Sequence, residues 1–139
     1  MTRIVREQRP QVLHIVAHGS PGSVSIGGVE WISEASLQRH AADLKGWSVE
    51  SIVLWSCRAG ADERFVQTLE RLTGAKVSAS SGVIGHADLG ASWQLTRNAG
   101  SVKNPFPKSA LDSWRYSLAT AYLHGLYQPT ASGDPDGFY

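Results

Sequence analysis

Apolar residues in this chain gather into three short continuous runs, each closed by a polar or glycine-bearing stretch. Val12 to Ala17 is β-branched and apolar, which predicts a buried strand ending at a turn, His18-Gly19-Ser20-Pro21-Gly22. Ile52-Val53-Leu54-Trp55 predicts a second strand, ending at Ser56-Cys57-Arg58-Ala59-Gly60, and Lys76 to Ser80 a third. Between these runs the period changes. Leu37, His40, Ala41 and Leu44 recur at helical spacing behind Ser33, a residue suited to capping, and predict a helix from Glu34 to about Leu44, stopped by Gly46. Phe65, Val66, Leu69 and Leu72 form the apolar stripe of another helix, opened by Asp62 and Glu63 and ended by Gly74. Ser23 to Ile26 and Val29 to Ile32 alternate around Gly27-Gly28, the signature of a small accessory hairpin.

The order strand, helix, strand, helix, strand predicts an α/β fold. Right-handed crossovers would lay the three strands parallel, with their C-terminal ends on one edge, where open α/β sheets hold their sites. His18 and Cys57 both fall at that edge. Past Ser80 the chain reads as loop plus hairpin, clearest at Ser92 to Leu95. Pro105 and Pro107 then precede a packed helix from Ser109 to Leu123, with Leu111, Trp114, Leu118 and Tyr122 on one side. This reading makes residues 1–123 one domain and 124–139 a flexible tail. Asp134 and Asp136 within the tail resemble the start of a calcium loop but lack the remaining ligands.

Composition narrows the function classes. A chain of 139 residues suits one core. Hydrophobic residues make up 42% and charged residues 18%, which excludes disorder over most of the length. A net charge of +1 offers no basic field for nucleic acid, and the N-terminal Arg3, Arg6 and Arg9 read as a frayed charged end. No apolar run approaches the roughly 20 residues of a membrane span, and no signal segment opens the chain, so cytoplasm is the default compartment. The single cysteine excludes an intrachain disulfide and a multi-cysteine zinc site. No metal or other cofactor is implied.

Cys57 therefore acts as a thiol or as a small buried hydrophobe. An imidazole at one strand end and a thiol at the next form a nucleophile and base pair, in which thiolate attacks a carbonyl and imidazolium protonates the leaving amine. Arg58 and the helix opening near Ala61 would favour the thiolate. His14, His40, His86 and His124 rival His18, and of these only His86 falls near the same edge. What distinguishes His18 is Gly19, whose N–H, with that of Cys57, could serve an oxyanion. Ser20, Asp62 and Asp88 are candidate substrate contacts. Asp88 would suit a basic side chain, although both carboxylates also fit helix capping or a solvated surface. Trp31, Trp55 and Trp93 read as packing.

Leu13 to Gly22, with His18-Gly19 at the strand end, followed by Ile52 to Cys57, resembles the caspase and gingipain superfamily of cysteine peptidases, clan CD. Leu72-Thr73-Gly74-Ala75, Ala79-Ser80, Gly90 and Trp93-Gln94-Leu95 are similar more closely to a bacterial domain of unknown function within it, found near the N-termini of very large, repeat-rich surface or secreted proteins. The resemblance runs from about Val12 to Leu118. It implies a caspase-like three-layer sandwich with a mainly parallel sheet, short at its N-terminal side, with His18 as general base and acid and Cys57 as nucleophile. It also implies a surface or secreted setting. Ser56 departs from the glycine usual in the closer family, and only eleven residues precede the His strand, which leaves an apolar sheet edge for a partner or a second copy to cover.

Two functions follow. One is a cysteine endopeptidase acting on a polypeptide, its own chain or an attached partner included. The other is a non-catalytic caspase-like module for assembly or docking.

Overall fold

The computed structural model describes residues 1–26, 30–100 and 102–118. Two three-stranded sheets and five helices make up a mixed α/β fold over these residues. The parallel sheet has the order β1 (Val12–Val16), β5 (Ser51–Trp55), β6 (Lys76–Ser78). Val16 stands opposite Trp55 and Val53 opposite Ser78, so the C-terminal ends share one edge. The second sheet is antiparallel, β2 (His18–Ser20), β3 (Ser23–Ile26) and β4 (Glu30–Ser33). His18 to Ser20 are thus a strand rather than the expected turn: they pair with Ser23 to Ser25, and only Pro21 and Gly22 turn the chain.

Both crossovers of the parallel sheet step in the same direction, from β1 to β5 to β6. If both are right-handed, they must cover the same face. The helices α2 (Glu34–Arg39), α3 (Ala41–Lys45) and α4 (Glu63–Thr73) accordingly pack into one core. Leu37, Leu44, Phe65 and Leu69 there meet Ile52, Leu54 and Val77. The expected single helix from Glu34 is broken at His40, whose backbone leaves the helical region between α2 and α3. The basic N-terminus is not frayed either. Residues Thr2–Gln8 form α1, which buries Val5 in the same core and accepts the Trp47 indole N–H on the Thr2 hydroxyl.

On the opposite face of the sheet the described residues place an aromatic cluster and one short helix. Trp55 points there and meets Trp93 and Phe106, and Trp93 continues the ring contacts to Trp114. One short helix, α5 (Lys108–Ser113), flanks this aromatic cluster. The longer helix expected over 109–123 ends at Ser113: the Ser113 hydroxyl turns back onto the Ser109 and Ala110 carbonyls, and Trp114 is already extended. Leu118 leaves the helical stripe assigned to it and is buried beside Cys57. The hairpin expected around Ser92 to Leu95 is a set of isolated bridges, Ile84 with Ser92 and Ala79 with Arg97. Arg97 pins that segment to α4 through Glu70 at 2.9 Å and through Glu63. The last residues of the expected 109–123 helix, 119–123 with Tyr122, and the expected 124–139 tail, with His124, Asp134 and Asp136, lie outside the described residues.

Candidate active site

The β1 chain leaves the sheet at Ala17, whose N–H donates to the Trp55 carbonyl, and passes over the start of the loop that follows β5. Glycine is required at that crossing. A Cβ on Gly19 would stand 2.5 Å from the Cys57 carbonyl oxygen and 2.8 Å from both the Cys57 nitrogen and the Ser56 Cβ. His18 and Cys57, brought from two different strand ends, are therefore neighbours through direct backbone packing. Arg58 follows in the left-handed region, with φ of 56°, and starts a single 3₁₀ turn at Ala59–Ala61. Its N–H is held by the Gly82 carbonyl at 2.8 Å. The bend carries the chain away from the sheet and leaves Cys57 at its corner.

One peptide carbonyl meets two donors of β2. The Leu118 oxygen accepts the Gly19 N–H at 3.1 Å and lies 3.1 Å from His18 Nδ1. A carbonyl oxygen can only accept, so that contact puts a proton on Nδ1. The Leu118 side chain joins Cys57 and Ile84 in a small cluster of buried residues, with Val83 and Trp93 packed against it.

Cys57 Sγ accepts the Ile84 N–H at 3.2 Å and lies 3.5 Å from the Ile84 oxygen. Only 1% of the residue is exposed. That burial pushes the thiol above its ordinary value, against main-chain hydrogen bonds at Ile84 and Leu118 and the charge of Arg58, which pull it down. The thiolate-favouring charge expected from Arg58 is thus outweighed by burial. Glu63 opens α4 after the intervening 3₁₀ turn, so no α-helix begins next to the thiol.

The remaining candidates separate cleanly. Asp62 caps α4, its Oδ1 accepting the Arg64 N–H at 2.9 Å. The Ser20 and Ser23 hydroxyls bond each other at 2.8 Å. Asp88 holds a basic side chain of its own chain, Arg115 Nη1, at 2.7 Å. The rival His86 is committed to its loop: Nδ1 takes the Asp88 N–H at 3.1 Å and Nε2 meets the Asp112 carbonyl at 3.0 Å. His14 receives the Trp55 indole N–H on Nδ1, and His40 is exposed beside Asp43. Among the described residues no group of three or more His, Cys, Asp or Glu side chains is placed to hold a metal ion, and no helix is long and apolar enough to cross a membrane.

Sequence reasoning missed the residues that close the site, which are Ile84, Gly85 and the segment 116–118. Gly85 was the available signal, a glycine between Ile84 and His86 whose backbone, at φ 154°, favours glycine and whose missing side chain leaves room for the segment. No curated protein and no solved structure matches the chain. The profile of one family matches residues 1–118, a span holding both His18 and Cys57 and ending at Leu118. The chain belongs to that family, described as a domain of unknown function, DUF4347.

Proposed function

We propose that the chain is a cysteine endopeptidase with a His18–Cys57 dyad. Cys57 is the nucleophile, His18 carries the proton to the leaving amine, and the Gly19 and Cys57 N–H groups receive the oxyanion. The observation that carries this reading is the convergence of the Gly19 N–H and His18 Nδ1 on one peptide carbonyl beside the thiol. Donors so placed are already organised for charge that develops on such an oxygen during acyl transfer. The resemblance of the His-Gly and Ser-Cys blocks to the caspase and gingipain superfamily supports the same roles. Kinship with that clan, and a setting in large repeat-rich surface or secreted proteins, belong to this proposal.

A second reading has one observation in its favour: a thiol that is 1% exposed and raised by burial is what a non-catalytic docking module would also hold. Hydrolysis of a fluorogenic peptide library by the full chain, by Cys57→Ala and by His18→Ala decides between them. Loss of hydrolysis in Cys57→Ala and a fall of about 10² to 10⁴ in His18→Ala are expected. Hydrolysis unchanged in both variants, or none by the unmodified chain, would leave the docking module as the better account.

A further inference from the structure

We infer that residues 116–118 occupy the site as its own substrate, and that Cys57 cuts the chain between Leu118 and Ala119. The inference rests on the peptidase reading above and names the substrate of that site.

Four features make the segment a bound peptide rather than an incidental neighbour. First, it adds as an antiparallel strand to the loop after β6: the Leu118 N–H donates to the Ile84 carbonyl at 2.9 Å and the His86 N–H to the Tyr116 carbonyl at 3.0 Å, with Ser117 bridged to Gly85. Main-chain pairing of this kind is how extended peptides are held while side chains supply selectivity. Second, the loop is shaped for it. A Cβ on Gly85 would stand 2.5 Å from the Tyr116 oxygen and 2.6 Å from the Ser117 Cα, so any other residue would push the segment off. Third, side chains on the segment have partners: Leu118 is buried against Ile84 and Cys57, and Arg115, just before it, is held by Asp88. Fourth, the Leu118 carbonyl, and no other in the segment, is the one that accepts the Gly19 N–H and faces His18.

That last contact fixes the bond. The Cys57 thiol gives its proton to His18 and its sulfur adds to the Leu118 carbonyl carbon. The oxygen gains the negative charge where the Gly19 N–H already points. Collapse breaks the bond from the Leu118 carbon to the Ala119 nitrogen, and that nitrogen takes the proton from His18. Water then adds to the thioester, which frees the Leu118 carboxylate and returns the thiol. One water is consumed, and nothing is oxidised or reduced.

The test is intact-mass spectrometry and N-terminal analysis of the full chain after purification and timed incubation, with Cys57→Ala and Ala119→Pro in parallel. Ala119→Pro alters none of the described residues and replaces the leaving amine by a proline nitrogen. Fragments 1–118 and 119–139 in the unmodified chain, absent from both variants, are expected. The same cut in Cys57→Ala overturns the inference. Hydrolysis of an Arg-Tyr-Ser-Leu aminocoumarin amide by the same sample separates the two ideas. An intact chain, or one cut at another bond, that still hydrolyses this amide through Cys57 overturns self-cleavage at Leu118 and leaves the peptidase reading standing. An intact chain that hydrolyses neither overturns both.

Discussion

Gly19 lies so close to Cys57 that the hydrogen replacing its side chain is all the space between two backbone segments, with 2.5 Å from a Cβ position to the Cys57 oxygen. The neighbours on that side are main-chain atoms of a buried corner and cannot swing aside. Gly19→Ala is therefore expected to destabilise the fold by about 1–3 kcal/mol, the range for overpacking a dense interior. Urea unfolding followed by tryptophan fluorescence measures this. A midpoint equal to that of the unmodified chain would show that β2 is free to move off Cys57. Because the shift carries the Gly19 N–H away from the Leu118 oxygen, hydrolysis of the aminocoumarin amide should fall even where the variant remains folded.

The accessibility of the thiol should depend on Gly85. With Ala119→Pro in the background to keep every sample whole, iodoacetamide should label Cys57 slowly near neutral pH, since the residue is buried and its pKa is raised by that burial. Gly85→Ala adds a Cβ against Tyr116 and Ser117, on a backbone at φ 154° that itself strains a side chain, and disfavours the covered state. If the clash costs about 1.4 kcal/mol, the uncovered population and the labelling rate rise about tenfold. Equal rates in both chains would mean that the segment does not cover the thiol. The sign of the pH effect follows from the raised value: as pH climbs through the ordinary thiol range the unfolded chain loses its proton first, so stability declines on the alkaline side.

A second titration is expected on the acid side. Trp55 can only donate from its indole nitrogen, so the 3.0 Å bond to His14 Nδ1 requires that nitrogen to be unprotonated. Burial holds the His14 imidazole below its ordinary value of 6.5. With the folded value the lower of the two, the unfolded chain binds the extra proton first as pH falls through that range, and stability drops until the folded value is passed. His14→Gln, which cannot be protonated and keeps a side-chain acceptor, should lose less stability than the unmodified chain between pH 7.5 and pH 5. Differencing the two removes every pH effect that the two chains share. Identical pH profiles would dismiss the role of His14.

The elements nearest the thiol show how much could be read from the chain alone. The strands β1 and β5, the stripe and both ends of α4, and the pairing of β3 with β4 were all legible, because continuous apolar runs and helical spacing are local signals. Their shared C-terminal edge followed from handedness. What escaped was set by distant partners. His18 to Ser20 look like a turn because Gly19 and Pro21 flank a short polar stretch, yet their strand character comes from β3. Leu111, Trp114 and Leu118 have helical spacing, but the hydrogen bonds from Ile84 and His86 offer residues 116–118 an extended alternative. Asp88 was read as a candidate contact for a basic substrate side chain or as a capping or solvated carboxylate, and nothing local showed that its partner within the chain is Arg115.

That pair supplies a test of selectivity, read as a ratio between two peptides cut by the same thiol. Both side chains are about two-thirds exposed, so the ion pair itself adds no more than roughly 0–1 kcal/mol and weakens with salt. Its value is positional: Arg115 precedes the residues paired with the loop, and Asp88 sits on the 3₁₀ turn that His86 starts. For peptides supplied in trans, replacing the arginine of Arg-Tyr-Ser-Leu by glutamate should lower kcat/KM through KM, by up to about fivefold for an effect of that size. Asp88→Lys should reverse the preference, favouring the glutamate peptide, because the attraction becomes repulsion while the main-chain pairing at Ile84 and His86 is untouched. Hydrolysis that ignores both exchanges would show that the Arg115 contact belongs to the folded chain alone and not to peptide selection.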